Sequence, residues 1–205
     1  MCKIMKMKNY DAYLFDWDGT VAQTLGAWLP IVRGTLDSYG IEASDKEIVR
    51  GIFGNARGGM LGFGVPEKDL ADIFAGWDKT AIANMPNVPL YDGITDVFVA
   101  LKRRGKKLAV ITATVRPTME AVFDTHGLHD MFDVVVTGSD VKAHKPDPEG
   151  LLFALGRLGV EKDRAVMLGD SEKDIRAAHN ARIDSVLFYP SEHELFHTLG
   201  ELKAD

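Results

Sequence analysis

The first apolar run of the chain, Ala12-Tyr13-Leu14-Phe15, is short and unbroken, as in a strand buried on both faces. After Thr20 the spacing becomes helical. Leu25, Trp28, Leu29, Val32, Leu36 and Tyr39 fall on one side of a helix predicted from about Thr24 to Tyr39, with Pro30 as a kink or late start and Gly40 as its stop. Ser44 followed by Glu47 reads as a capping box ahead of Ile48 and Val49. From Gly51 to Gly64 the chain is glycine-rich and reads as a loop. A further helix is predicted from Pro66 to Met85, with Leu70, Ile73, Phe74, Trp77 and Ile82 on its apolar side and Pro86 and Pro89 ending it. Residues 21–88 thus read as helical, without a strand.

From Leu90 onward strands and helices alternate. The predicted order is a helix Gly93–Arg104, strand Leu108–Thr112, helix Arg116–Thr125, strand Val134–Val136, helix Pro148–Leu158, strand Ala165–Leu168, helix Glu172–Ala181 and strand Ser185–Phe188. Continuously apolar strands alternating with helices predict a parallel sheet covered on both faces. The expected fold class is therefore α/β, a Rossmann-like parallel sheet with helices on both faces. Residues 1–20 and 89–205 form this core, and residues 21–88 are a small all-helical insertion after the first strand. Glu194 to Asp205 reads as a short amphipathic helix.

The 205 residues allow one large domain, or a domain with a sizeable insertion. The net charge of -6 argues against nucleic acid as the main partner, because a phosphate backbone needs a basic face. A small phosphorylated molecule in a local basic pocket stays compatible with it. Cys2 is the sole cysteine, so no intrachain disulfide forms and a reducing compartment is expected. Met1 to Asn9 lacks the continuous apolar core of a signal peptide, and no run approaches a membrane span. The expectation is a cytoplasmic protein with no membrane partner, a monomer or small homo-oligomer.

Chemistry collects where strands end. Phe15 leads into Asp16-Trp17-Asp18-Gly19-Thr20, with two carboxylates one residue apart near an interior. Like charges repel and burial disfavours both ionised forms, so a hard divalent cation would relieve the conflict. Gly19 allows a sharp turn and close approach to a ligand. A plain turn is the bland alternative. The other strand ends run into Thr112-Ala113-Thr114, into Ser139 through His144-Lys145-Pro146, and into Gly169-Asp170-Ser171-Glu172-Lys173-Asp174. In an open parallel sheet those ends face one crevice.

In that order, these segments resemble the four motifs of the haloacid dehalogenase superfamily, over essentially the whole chain. The layout is similar to the phosphoglycolate phosphatase and beta-phosphoglucomutase group, and the insertion resembles that superfamily's helical cap. The resemblance implies a Mg²⁺-dependent phosphatase acting on a small phosphorylated metabolite through an aspartyl phosphate. Asp16 would be the nucleophile and Asp18 the general acid and base. Asp16, the Asp18 backbone carbonyl and Asp170 would hold Mg²⁺, with Asp174 supporting the metal or binding it through water. Thr112 and Lys145 would bind phosphoryl oxygens, as would backbone amides near Trp17 and Ala113. Lys142 is a rival to Lys145 but lacks the following proline. Trp17's side chain is expected to pack beside the nucleophile.

Two positions depart from the pattern, Ala113 where the family often has Asn and Gln23 where it often has an acidic residue. Both bear on substrate orientation. In the glycine-rich stretch, Asn55 and Arg57 are the strong polar side chains, and Arg57 could meet a second anionic group on the substrate. Equally, the glycines could only permit tight turns, with Arg57 solvated. His126 and His129 read as a surface turn. A phosphomutase on the same core is the alternative. A dehalogenase is disfavoured by Asp18, a phosphonate hydrolase by the lack of a suitable cap lysine, and a silent regulatory protein by the intact set of carboxylates.

Overall fold

The computed structural model describes residues 8–53 and 55–188. The strands β1 (Ala12–Phe15), β2 (Lys107–Ile111), β3 (Val134–Val136), β4 (Ala165–Gly169) and β5 (Asp184–Leu187) form one parallel sheet in the order β3-β2-β1-β4-β5. β1 lies in the middle, with Phe15 level with Val110 of β2 and Leu168 of β4. The chain winds outward from β1 to β3, then crosses back to β4. The carboxyl ends of β1 and β4 therefore lie side by side at the switch point, where α/β sheets bind ligands.

Period-two alternation divides the strand residues between two cores. Tyr13 and Phe15, Leu108 and Val110 pack on one face with Phe98 of α5 (Ile94–Arg103) and Met119, Val122 and Phe123 of α6 (Arg116–His126). Ala12 and Leu14, Ala109 and Ile111 pack on the other with Leu151 and Ala154 of α7 (Glu149–Leu158) and Ala177 and Ala178 of α8 (Glu172–Ala181). Small residues on α8 let it lie close to the sheet. The strands and helices predicted from Leu90 onward are all present, with ends shifted by a residue or so. β5 departs from the expectation of burial on both faces, since all its residues are exposed. It is an edge strand, tied by Lys8 and Tyr10 side chains that each donate to Asp184 at 3.0 Å. The helix expected at Glu194–Asp205 lies outside the described residues.

Between β1 and α5 come α1 (Leu25–Ser38), α2 (Asp45–Ile52), α3 (Ala56–Gly62) and α4 (Leu70–Asn84), with, among the described residues, only isolated bridges at Ala22. α1 starts at Leu25 and continues through Pro30, and Gly40 follows its end at positive φ. The Ser44–Glu47 capping box is present. These helices bury a core of their own from Val32, Leu36, Ile48, Ile52, Met60, Leu70 and Trp77. The end of α4 joins the sheet-side core through Ala81 and Met85, and Ile82, expected on the apolar side, is exposed instead.

The glycine-rich stretch is not a loop. Gly51 and Gly59 lie within α2 and α3, and the glycines let those helices touch. A Cβ on Gly59 would lie 2.1 Å from the Gly51 carbonyl oxygen, whereas one on Gly34 of α1 would meet nothing within 4 Å. Gly59→Ala should therefore destabilise the protein by roughly 1–3 kcal/mol through forced separation of α2 and α3. Gly34→Ala, freed of backbone entropy in mid-helix, should stabilise it by about 0.5–1 kcal/mol. Urea unfolding of both variants checks the pair, and like signs would contradict the packing described.

Candidate functional site

Asp16 is the first residue past β1, and its N–H donates to the Leu168 carbonyl of β4 at 2.8 Å. That bond seats it beside Asp170, which follows β4. Oxygens of Asp16, Asp170 and Asp174 all lie within 4.8 Å of one another, and all three residues are buried. Asp174 reaches the cluster because it sits in the first turn of α8, one turn beyond Asp170. Its Oδ2 accepts from the Ser171 N–H at 3.1 Å and hydroxyl at 2.5 Å.

Two glycines make room for this acid cluster. A Cβ on Gly19, whose φ is +80°, would fall 2.2 Å from Asp170 Oδ2, and one on Gly169 would fall 2.3 Å from the Asp174 carboxyl carbon. Lys145 enters from the segment after β3. Its Nζ donates to Asp16 Oδ1 at 2.5 Å, to Asp174 Oδ1 at 2.6 Å and to the Ile111 carbonyl at 3.0 Å.

One ammonium faces three buried carboxylates, so charge does not balance. Burial, then Asp174, pushes the Asp16 carboxyl up to about 7 despite Lys145. Asp170 is driven well above the usual carboxylate range, by burial first and then by Asp16. Burial alone would lower Lys145, but the two carboxylates beside it carry its ammonium above the ordinary lysine value. Ionising all three acids leaves a deficit that a divalent cation offsets, and an all-oxygen carboxylate set suits a hard ion. The residues present therefore fit Mg²⁺.

Asp18, half-buried, stands apart from this cluster. Its Oδ2 accepts from the Thr114 hydroxyl at 3.0 Å and the Thr112 hydroxyl at 3.3 Å, and its Oδ1 accepts from Trp28 Nε1 at 3.1 Å. Thr112 Oγ1 in turn accepts from the Thr114 N–H at 3.0 Å. Among the described residues, the amides of Trp17 and Ala113 and the carbonyl of Asp18 carry no hydrogen bond. They are free for a ligand.

The structure thus brings together Asp16, Asp18, Thr112, Lys145, Asp170 and Asp174. Ala113 is exposed beside Thr112, and Lys142 is exposed and makes no ion pair among the described residues. The Trp17 side chain is buried in the sheet-side core against Phe123 of α6, at 5.6 Å between ring centres. Asn55 and Arg57 are engaged elsewhere. The Asn55 side chain caps α3 by accepting from the Gly58 N–H at 3.1 Å, and the exposed Arg57 guanidinium pairs with Glu67. Neither touches the acid cluster; both are occupied by local partners in the helical stretch. His129 bonds Asp124 at 2.7 Å, away from the cluster.

Thr114, Trp28 and Lys173 also stand at the site, without being expected there from the sequence. Thr114 carried a signal, since two residues past Thr112 an extended chain points the same way. Trp28 carried none, because its spacing matched plain core packing. Lys173, beside Asp174, is half-buried without an ion pair among the described residues, and burial, then Lys145, lowers it from the ordinary lysine value.

A family model described as haloacid dehalogenase-like hydrolase matches residues 13–188 of this chain. The pyrophosphatase PpaX of Bacillus velezensis is 31% identical over 179 residues, covering 86% of this chain and 82% of that protein. A phosphoglycolate phosphatase of Rhodospirillum rubrum is 31% identical over 204 residues, covering 93% and 85%. Among solved structures, CbbY from Rhodobacter sphaeroides in complex with phosphate superposes with a TM-score of 0.72 at 29% identity, over 91% of this chain and 90% of that one.

The electrostatics predict a pH dependence in metal-free protein. With its folded value near 7 against an ordinary 3.8, Asp16 keeps its proton in the fold where the unfolded chain has lost it. Its contribution is full below 3.8 and is lost as pH rises through about 7. In chelator, unfolding free energy should fall across that window by up to about 1.4 kcal/mol per pH unit from this carboxyl. Asp16→Asn should flatten the slope, leaving a remainder from Asp170, which shifts the same way. Urea unfolding at several pH values measures both, and equal slopes would contradict the assignment.

Proposed function

Because the chain belongs to the haloacid dehalogenase-like hydrolase family, we propose that it is a Mg²⁺-dependent phosphatase that hydrolyses a small phosphorylated metabolite through an aspartyl phosphate. The observation that carries the reading is the convergence of Asp16, Asp170, Asp174 and Lys145 at the switch point of the sheet. The names of the relatives, a pyrophosphatase and a phosphoglycolate phosphatase, support phosphorus as the element attacked.

An Asp16 carboxylate oxygen attacks phosphorus, forming an oxygen–phosphorus bond as the bond to the leaving oxygen breaks. Asp18 donates a proton to that leaving oxygen. It then takes a proton from water, whose oxygen attacks phosphorus, frees Asp16 and yields inorganic phosphate. Lys145 holds Asp16 in place and offsets negative charge on the transferring group, and the Thr112 hydroxyl with the Trp17 and Ala113 amides supplies donors to its oxygens. Asp16, Asp170 and the Asp18 carbonyl would hold Mg²⁺, which would supply positive charge to offset the negative charge of the nucleophile and the phosphoryl group. Both oxygens of Asp174 are engaged by Lys145 and Ser171, so Asp174 orients the lysine and supports the metal site from behind. Residues 21–88 serve as a cap that excludes water while the phosphoryl group moves.

With 4-nitrophenyl phosphate, activity should disappear in EDTA and return on adding Mg²⁺. Asp16→Asn should lower kcat by at least about a thousandfold, as loss of a nucleophile does elsewhere. Activity retained in that variant would refute the nucleophile. A panel of phosphoglycolate, sugar phosphates and pyrophosphate would then rank substrates. Free inorganic phosphate, rather than an isomerised sugar phosphate, separates hydrolysis from the phosphomutase alternative.

A further inference from the structure

We propose that Trp28 is a positioning residue for Asp18, and that through it the orientation of Asp18 depends on how the helical unit sits against the sheet. The inference rests on the reading of Asp18 as proton donor to the leaving group.

Trp28 lies on α1, yet its indole N–H donates to Asp18 Oδ1 at 3.1 Å. The Thr112 and Thr114 hydroxyls hold the other oxygen. The carboxyl plane is therefore fixed from both sides, by donors from β2's end and from α1. These donors are not equivalent. A hydroxyl can donate or accept, but an indole N–H only donates. Oδ1 is thus kept as an acceptor throughout the cycle, while the two threonines can reverse as Asp18 gains or loses its proton on Oδ2.

Packing singles out the same side chain. Among the described residues, Trp28 is the one partly buried apolar residue that packs against both the sheet-side core and the separate core of the helices before residue 85. Its ring is wedged between the two bodies while its N–H reaches the reacting carboxylate. Displacement of α1 from the sheet breaks the bond to Oδ1 and leaves Asp18 held on one side alone. The proton donor is then correctly aimed only when the helical unit is seated.

The test uses leaving-group dependence, which a merely structural role would not move. 4-Nitrophenolate departs without a proton, whereas the alkoxide of phosphoglycolate needs one. Trp28→Phe keeps an aromatic wedge but removes the N–H. It should lower kcat/KM about tenfold for phosphoglycolate and less than about threefold for 4-nitrophenyl phosphate, a fraction of the full value of a general acid. If phosphoglycolate is a poor substrate, the fastest alkyl phosphate of the panel replaces it. In an Asp18→Asn background the same substitution should cost nothing further. Replacing Trp28 with benzothienylalanine, which keeps the ring shape and lacks the N–H, gives the same comparison should the Phe variant fold poorly. Equal losses on both substrates, or no loss, would overturn the inference. Should Asp16→Asn remain active, it is the phosphatase reading itself that falls. With Asp16→Asn inactive and Trp28→Phe unselective, only the role of Trp28 falls.

Discussion

Three buried carboxylates share one lysine, and the site is arranged around that shortfall of positive charge. Asp16, Asp170 and Asp174 stand close enough to repel, and burial penalises the ionised forms of Asp16 and Asp170. Lys145 relieves part of the strain by bonding two of them. The negative charge that remains would be offset by a divalent cation, and the oxygen-only donor set suits Mg²⁺. The glycines at positions 19 and 169 follow from the same constraint, because a side chain at either would occupy the space the carboxylates need.

The sheet order turns this local chemistry into a site. Placing β1 between β2 and β4 sets the acids after β1 and β4 side by side, and brings Thr112 and Thr114 from β2 to the opposite flank. Two functions are thereby separated in space. Asp16 is drawn toward Lys145 and the acid cluster, whereas Asp18, two residues on, is drawn away by hydroxyls and an indole. In the proposed mechanism, one short turn, bent at Gly19, would present Asp16 as nucleophile and Asp18 as proton donor without letting their charges merge. The role proposed for Trp28 extends this separation to the helical unit, which supplies one of the donors that hold Asp18.

Much of this was legible in the sequence, for physical reasons. Parallel strands buried on both faces are continuously apolar, so β1, β2, β3 and β4 were readable, and the residues after them carried chemistry that plain turns do not require. Lys145 was separable from Lys142 only through the resemblance to a known family. Failures came where tertiary contact overrides local propensity. Glycine is a poor helix former, so Gly51–Gly64 read as a loop, although Gly59 is there because α3 lies against α2. The local partners of Asn55 and Arg57, the Gly58 amide and Glu67, could not be known before the helices were placed. Ile82 fits the apolar stripe of α4 by spacing yet is exposed, since the end of α4 turns Ala81 toward the sheet. Trp28 fits a core stripe so well that its N–H drew no notice.

Calorimetric titration of Mg²⁺ into the chelator-treated protein tests the central claim most directly. The account predicts one saturable site per chain, with proton release on binding that grows as pH falls toward 7, and loss of that site in Asp170→Asn while the fold is retained. Absence of saturable binding, or binding unchanged in Asp170→Asn, would contradict it.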